Sequence, residues 1–310
     1  MATASLNRTE YYYASENALQ NVAVWQFPEE QSLPPAAPEI KKYWLIFVHG
    51  GAWRDPRGTF NDFEATLNAL LAPSSSSPSQ LTYPAASRIA GFASLNYRLS
   101  PHPQFAQDLA HTPSWGTRTA THPDHLLDVL AGLRFLQDRF GFGSDYVFCG
   151  HSAGAFLNYQ VLLGNACLEG QEAGAAEVKL PVAVVGFEGI YDLTGLNRRM
   201  KGTYGGFMEA AFGMDENGRW DAASPATAKG SYKAWSEGVG KLAVLVQSPD
   251  DELVDMAECD TMESRLRDDG VESLKVYRDL KGGHFEVLQD GSFARVINEV
   301  CLDLERLDRA

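Results

Sequence analysis

A serine in the pentapeptide Gly-His-Ser-Ala-Gly, residues 150–154, is the first candidate for chemistry in this sequence. The residues before it, DYVFCG (145–150), read as a buried β-strand, and those after it read as a helix. Glycines at the outer positions permit a tight turn, because side chains there would collide with the neighbouring strand and helix. Ser152 is therefore predicted to be a nucleophile at the carboxyl edge of a sheet, at the positive end of a helix.

A second glycine motif, His-Gly-Gly-Ala-Trp at 49–53, directly follows the apolar run YWLIFV at 43–48. Two successive glycines let the backbone approach a ligand closely and turn its N–H groups inward. Four such groups are expected to hold an oxyanion: those of Gly50, Gly51, Ala52 and Ala153. His49 is expected to brace this loop through hydrogen bonds rather than act as a base. Trp53 fits either the core or the wall of a binding pocket.

A serine nucleophile needs a base, and the base needs an orienting carboxylate. In an α/β-hydrolase the acid and then the histidine follow the serine along the chain. His284, in DLKGGHFEVLQD (279–290) after the last predicted strand, is the expected base. The loop after the preceding strand offers Asp250 and Asp251 as the acid, of which we favour Asp251. Glu188, at the end of an earlier strand, is a third possibility.

No metal or cofactor is predicted from the remaining motifs. His122 and His125 lie near Asp124 and Asp128, but Pro123 places this group at a helix start, where capping explains it. No glycine-rich phosphate loop follows a predicted strand, so a nucleotide cofactor has no support.

The elements that must position these groups alternate along the chain. Strand-like runs lie at 43–48, 89–97, 145–150, 181–193, 242–254 and 271–279. Helical patterns occupy 61–72, 122–141, 151–164, a segment ending near Asp269, and 291–307. This alternation indicates the α/β class, with a mostly parallel, doubly wound sheet and helices on both faces.

One α/β-hydrolase domain over 1–310 fits this pattern better than two domains do. Residues 194–240 are rich in Gly, Trp, Tyr and Met and show no clean period, so we expect a small cap insertion there. PSSSSPSQ at 73–80 reads as a flexible surface loop. Asn61 or Asp62 is expected to cap the helix that follows the glycine motif.

The composition narrows the possible partners and compartment. The chain holds 26 basic and 40 acidic side chains, a net charge of −14, and shows no basic stripe, so nucleic-acid binding is not expected. No apolar run approaches the ~20 residues needed to cross a bilayer. The first residues lack signal-peptide features, and four scattered cysteines suggest reduced thiols. We expect a cytoplasmic protein that acts on a small molecule, with a homodimer left open.

Several motifs together resemble the fungal kynurenine formamidases, the arylformamidase branch of the α/β-hydrolases. They are HGGAWRDPRGTFNDF (49–63), NYRLSPHP (96–103), HPDHLLDV (122–129), GHSAGA (150–155), FEGIYDL (187–193) and SPDDEL (248–253). The resemblance spans about 49–290, and its most specific part is HGG-x-W with the residues that follow. It implies Ser152 as nucleophile, Asp251 as acid, His284 as base, and an oxyanion hole at Gly51 and Ala52.

The same resemblance implies hydrolysis of N-formyl-L-kynurenine to L-kynurenine and formate through a formyl-enzyme, in tryptophan degradation and NAD biosynthesis. Aromatic side chains near the motifs are candidates to contact the substrate: Trp53, Tyr97, Tyr191 and Trp220. A carboxylesterase of the hormone-sensitive-lipase type would use the same triad and is the alternative function. A non-catalytic receptor with this fold is a third possibility, disfavoured because all three triad residues are present.

Overall fold

A computed structural model describes residues 6–28, 41–75, 81–168, 176–238 and 240–308. Its sheet contains eight strands: β1 (Asn7–Tyr12), β2 (Asn21–Gln26), β3 (Tyr43–Val48), β4 (Ile89–Leu95), β5 (Tyr146–His151), β6 (Ala183–Phe187), β7 (Leu242–Val246) and β8 (Leu274–Tyr277). Their order across the sheet is β1-β2-β4-β3-β5-β6-β7-β8. Pairing is parallel from β4 to β8, whereas β2 pairs antiparallel with both β1 and β4. The predicted mostly parallel α/β sheet is confirmed.

The α-helices of the described residues connect these strands. They are α1 (Glu64–Leu70), α2 (Asp124–Phe140), α3 (Ala153–Leu163), α4 (Leu193–Arg199), α5 (Gly205–Phe212), α6 (Arg219–Ala223), α7 (Lys233–Ser236), α8 (Met256–Asp268) and α9 (Ser292–Asp308). Helices cover both faces of the sheet: α2, α3 and α8 contribute to one hydrophobic core, and α1 and α9 contribute to the other. Because the strands from β4 to β8 are parallel, the loops that follow them share one edge of the sheet.

Strand β3 illustrates why the sheet needs helices on both faces. All six of its residues are buried, as expected for a parallel strand with two covered faces. Trp44, Ile46 and Val48 contribute to the core beside α2 and α3, while Leu45 and Phe47 contribute to the core beside α1 and α9. Because side chains alternate along a strand, an unbroken apolar run is the sequence signature of this environment.

The sequence prediction missed the first two strands. Strand β1, NRTEYY, is almost entirely exposed, so it lacks the apolar pattern that marks a buried strand. Strand β2, NVAVWQ, has four buried residues and carried a readable signal. The cap prediction at Asn61 or Asp62 is also wrong. Thr59 is the cap of a short 3₁₀ helix at Phe60–Phe63, and Asp62 instead completes a capping box by accepting from the Thr59 N–H.

The residues predicted to form a cap insertion hold the four helices α4 to α7, between β6 and β7. They are tied to the rest of the structure by polar contacts, such as the bond from the Tyr204 hydroxyl to the Leu253 carbonyl at 2.8 Å. The surface loop predicted at 73–80 is described only as far as Ser75, so the remainder lies outside the described residues. None of the described helices is both long and apolar enough to cross a membrane.

The start of α3 packs directly against the end of β3, with no room for a side chain between them. A Cβ added at Gly154 would lie 2.1 Å from the carbonyl oxygen of Val48, and a Cβ added at Gly150 would lie 2.5 Å from the backbone of Gly154. Backbone atoms cannot move aside as a flexible side chain can. Both glycines are therefore required by the close approach of strand and helix.

We predict that Gly154→Ala lowers the free energy of unfolding by at least about 2 kcal/mol, because the methyl group would overlap backbone atoms. Urea unfolding followed by circular dichroism measures this change. Gly116→Ala is the matched control, since a Cβ at that position meets no atom within 4 Å. Equal stability of the two variants would contradict the packing argument.

Candidate active site

Ser152 occupies the turn between β5 and α3, with a backbone conformation that side-chain-bearing residues rarely adopt. Its φ and ψ are 54° and −122°. Its N–H donates to the carbonyl of Phe187 at the end of β6, at 2.9 Å. Such strain costs about 1–3 kcal/mol and persists only where surrounding contacts impose it. The conformation sets the hydroxyl at the carboxyl edge of the sheet, beside the amino terminus of α3.

The loop after β3 also turns through unusual backbone angles. Gly51, Ala52 and Trp53 have φ values of 90°, 49° and 60° in succession. The N–H groups of Gly51, Ala52 and Ala153 donate no hydrogen bond within the described residues, whereas the Gly51 carbonyl accepts from Arg54 at 3.0 Å. Unpartnered N–H groups beside a serine are suited to stabilise negative charge on a substrate oxygen.

His49 and Tyr97 support this loop from below. The Nδ1 of His49 lies 2.9 Å from the carbonyl oxygen of Gly50, and its ring stacks on Tyr97 with centroids 4.5 Å apart. The Tyr97 hydroxyl donates toward the carbonyls of His49 and Gly50 at 3.2 and 3.1 Å. Burial lowers the pKa of His49 to about 4, so this imidazole is neutral at pH 7. These contacts fit a bracing role better than a role as base.

The four aromatic residues predicted to contact substrate are all buried. Trp53 packs edge-on against Phe156 and Phe212, Tyr97 lies under the loop, Tyr191 packs edge-on against Tyr159, and the Trp220 indole donates to the Gly213 carbonyl. The Trp53 Nε1 and the Tyr191 hydroxyl are buried without a hydrogen-bond partner among the described residues. The role of the four residues in substrate binding stays a prediction.

His284 and Asp251 come from the loops after β8 and β7 and meet at this edge. The Nδ1 of His284 lies 2.8 Å from Oδ2 of Asp251. The other oxygen of Asp251 accepts from the N–H groups of Leu253 and Val254, at 2.8 and 2.9 Å. Asp250 is exposed, and among the described residues its carboxylate accepts only from the Gly282 N–H, at 3.4 Å. The structure thus brings Asp251, and not Asp250, to the imidazole.

Three polar residues that the sequence analysis did not single out in these roles hold this pair in place. Gln247 donates to Asp251 Oδ2 and to the Val254 carbonyl, both at 2.9 Å. Glu252 accepts from the His284 N–H at 3.1 Å, and the Nε2 of His151 lies 2.8 Å from the His284 carbonyl. The signal for Gln247 was a buried-strand run, LAVLVQ, that ends in an amide.

Glu188, the third candidate for the acid, is buried next to the same imidazole. Its Oε2 lies 3.6 Å from His284 Nδ1 and 3.5 Å from His151 Nε2, longer than the Asp251 contact. Burial, with added repulsion from Asp251 and Glu252, raises the pKa of Glu188 to about 10. Glu188 is therefore a neutral carboxylic acid at pH 7, and Asp251 is the better partner for an imidazolium.

The ligand atoms of His151, Glu188 and His284 lie within 4.8 Å of one another, a grouping with metal-ligand spacing. However, His284 Nδ1 is engaged by Asp251, and His151 Nε2 by a backbone carbonyl.

Among the hydrogen bonds of the described residues, none joins the Ser152 hydroxyl to His284. Such contacts are often long before substrate binds. The arrangement suits a serine hydrolase, and Nε2 of His284 makes no hydrogen bond among the described residues.

Comparison with curated proteins gives relatives that cover most of the chain. A kynurenine formamidase-like hydrolase of Fusarium equiseti is 41% identical over 254 residues, which are 81% of this chain and 79% of that protein. A kynurenine formamidase of Aspergillus versicolor is 35% identical over 71% of this chain and 74% of its own length. One from Meyerozyma guilliermondii is 30% identical over 86% and 87%. No family model matches the chain.

Solved structures agree on the fold. Esterase B of Lactobacillus rhamnosis superposes with a TM-score of 0.65 at 15% identity, covering 99% of this chain and 88% of that one. An HSL homologue, EstE7, from a metagenome library gives a TM-score of 0.60 at 16% identity, covering 98% and 88%. At such identities the likeness establishes the α/β-hydrolase fold and leaves the substrate to other observations.

We predict that Asp251→Asn lowers kcat roughly a thousandfold or more, because an amide facing Nδ1 favours the wrong imidazole tautomer. Glu188→Gln is the matched variant and should retain kcat within about threefold, since it replaces one neutral group by another of similar size. Hydrolysis of an aryl acetate by both proteins measures this. A larger loss in Glu188→Gln than in Asp251→Asn would assign the acid to Glu188.

The raised pKa of Glu188 also predicts how stability depends on pH. Between about pH 4.5 and pH 10 the folded protein keeps this proton while the unfolded chain releases it. The stability that the protonated Glu188 contributes is therefore fully present below about pH 4.5 and is lost as the pH rises toward 10. Glu188→Gln does not titrate there. Its thermal midpoint should therefore rise relative to that of the wild type as pH increases from 5 to 9. A constant difference would show that Glu188 ionises normally.

Proposed function

The chain belongs to the kynurenine formamidase family, and from that premise we propose that it hydrolyses N-formyl-L-kynurenine to L-kynurenine and formate. The observation that carries the proposal is the convergence of Ser152, the His284–Asp251 pair and the HGG loop at one edge of the sheet. A small-molecule substrate is consistent with this family, and its formyl group is an acyl group that a serine can accept.

In the first step His284 acts as the base. Its Nδ1–H donates to Asp251, which leaves Nε2 free to remove the proton from the Ser152 hydroxyl. Oγ attacks the formyl carbon, and the carbonyl oxygen gains negative charge. The N–H groups of Gly51, Ala52 and Ala153 stabilise that charge, at roughly 3 kcal/mol for each well-placed donor. A Cβ at Gly50 would lie 3.0 Å from the Ser152 Cβ and from His151, so the glycine lets this loop lie close to the nucleophile, where the Gly50 N–H is a further proposed donor.

In the second step the imidazolium of His284 protonates the aryl nitrogen, the C–N bond breaks, and L-kynurenine leaves. Asp251 stabilises the imidazolium through the 2.8 Å contact at Nδ1. A water molecule then transfers a proton to His284 and attacks the formyl-enzyme, which releases formate and restores the Ser152 hydroxyl. The same base and oxyanion donors serve both halves of the reaction.

The cysteines bear on the compartment in which the protein works. Cys149, Cys167, Cys259 and Cys301 are buried and unpaired, which supports a reducing compartment, and we place the protein in the cytoplasm on that ground. The cytoplasmic kynurenine pathway of tryptophan degradation and NAD biosynthesis is the setting this proposal implies. A homodimer stays a prediction, for which light scattering of the purified protein is the test.

We expect purified protein to release L-kynurenine from N-formyl-L-kynurenine faster than it cleaves an aryl acetate, as followed by absorbance. Ser152→Ala should lower kcat for both substrates by at least about a thousandfold, since the nucleophile is lost. Ser87→Ala, an exposed serine on a 3₁₀ helix, is the control and should match the wild type.

Two results would overturn parts of this proposal separately. Cleavage of the ester without cleavage of the formamide would assign the protein to the carboxylesterases and leave the triad intact. Full activity of Ser152→Ala on either substrate would remove Ser152 as the nucleophile.

A further inference from the structure

A cavity of about 630 Å³ opens beside the HGG loop, between the loop after β4 and helix α5. Its lining combines cationic and aromatic side chains: Arg54, His102, Phe105, Arg118 and Phe207. A site of this size and mixed character suits a small organic anion. The triad does not account for these residues.

Two series of contacts connect the lining of the cavity to the candidate catalytic residues. Arg54 directly follows the HGG-x-W motif, and its N–H donates to the Gly51 carbonyl at 3.0 Å. Phe207, on α5, lies 5.1 Å from the ring of Tyr204, whose hydroxyl donates to the carbonyl of Leu253. Leu253 itself donates to Asp251. The cavity and the triad are therefore joined through the oxyanion loop on one side and α5 on the other.

The charges of the cavity oppose those of the protein as a whole. The chain carries a net charge of −14, yet neither Arg54 nor Arg118 forms a salt bridge within the described residues. By contrast, the neighbouring Arg57 is 71% exposed and paired with Asp55 at 2.6 Å. Asp55, already paired with Arg57, is the carboxylate whose charge acts on Arg54. Two arginines that line one cavity and form no salt bridge within the described residues indicate a place for an anion from outside.

The environment of each arginine supports this interpretation. The Arg118 Nε is buried without a hydrogen-bond partner, although its Nη2 donates to the Phe105 carbonyl at 2.6 Å. The Arg54 guanidinium lies over the ring of Phe207 at 5.6 Å and makes no other polar side-chain contact among the described residues. Burial, followed by the charges of Arg54, Arg57 and Arg118, lowers the pKa of His102, and the Asp55 carboxylate offsets part of this effect.

We propose that Arg54 and Arg118 bind the α-carboxylate of the substrate, and so select aryl formamides that carry a carboxylate. The inference rests on the proposed function, because N-formyl-L-kynurenine supplies such a carboxylate on the leaving-group side of the scissile bond. The planar guanidinium pairs with a carboxylate through two parallel hydrogen bonds. Phe207 and Phe105 provide apolar surface for the chain that joins the carboxylate to the ring.

The kinetic test compares two substrates that differ in one group. N-formyl-L-kynurenine is set beside its decarboxylated analogue, which keeps the aryl formamide, the ketone and the amine. We expect Arg54→Met to raise KM for the carboxylate-bearing substrate roughly 10- to 100-fold with little change in kcat. For the analogue, kcat/KM should change less than about threefold. Arg54→Lys should give an intermediate KM, because it keeps the charge and loses the fork.

Two controls separate this role from a general effect of charge or folding. Arg134→Met removes the same charge from α2, where Arg134 pairs with Asp138 outside the cavity lining, and should leave the substrate preference unchanged. Arg118→Met should give the same preference shift as Arg54→Met. Arg54→Met is the primary variant, because the Arg54 side chain makes no hydrogen bond among the described residues, whereas Arg118 donates to the Phe105 carbonyl. Equal losses on both substrates in Arg54→Met, or no loss on either, would overturn the proposal.

A binding experiment keeps the inference separable from the proposed function. Ser152→Ala protein is titrated by calorimetry with L-kynurenine and with its decarboxylated analogue. Tighter binding of L-kynurenine that Arg54→Met abolishes supports the carboxylate site, even if the wild type fails to hydrolyse N-formyl-L-kynurenine. Equal affinity for the two ligands overturns the carboxylate site, even if the wild type hydrolyses that substrate well.

Discussion

The backbone of Ser152 is the constraint on which the rest of the site depends. A φ of 54° is unfavourable for serine, and it is imposed because β5 must turn into α3 through this single residue while α3 lies against β3. The contact between Gly154 and the Val48 carbonyl fixes the distance between helix and strand. The same contact sets Ala153 beside the loop that follows β3, so one packing constraint positions both the hydroxyl and the oxyanion donors.

Near this serine, two carboxyl groups face the imidazole of His284, and their surroundings give them different protonation states. Asp251 accepts hydrogen bonds from Leu253, Val254 and Gln247 and lies within hydrogen-bond distance of His284. Glu188 approaches the imidazole only to 3.6 Å and is held neutral by burial. A single negative charge beside His284 stabilises the imidazolium without adding a second buried charge, which would cost several kcal/mol. Farther out, the unpaired arginines of the cavity supply positive charge where the leaving group carries a negative one.

The sequence predicted the features that short patterns of neighbouring residues encode. Strand β3 and the turn at Ser152 follow from apolar runs and glycine spacing, and the parallel sheet follows from their alternation. Strand β1 has no apolar face, so only its pairing with β2 defines it. The contacts of Asp251, Glu188 and Gln247 join loops from different strands, which no short-range pattern encodes. The aromatic residues near the motifs, such as Tyr191 and Trp220, are buried in the structure, and their role in substrate binding stays a prediction.

A small fluorophosphonate tests whether Ser152 is the nucleophile. The reagent forms a stable covalent bond with an activated serine, and peptide mass spectrometry identifies the residue that carries it. We expect one label per chain, on Ser152, with formamidase activity lost in proportion to labelling and no labelling of Ser152→Ala. Full activity in protein whose Ser152 is completely labelled, or inactivation accompanied by a label on another residue, would contradict it.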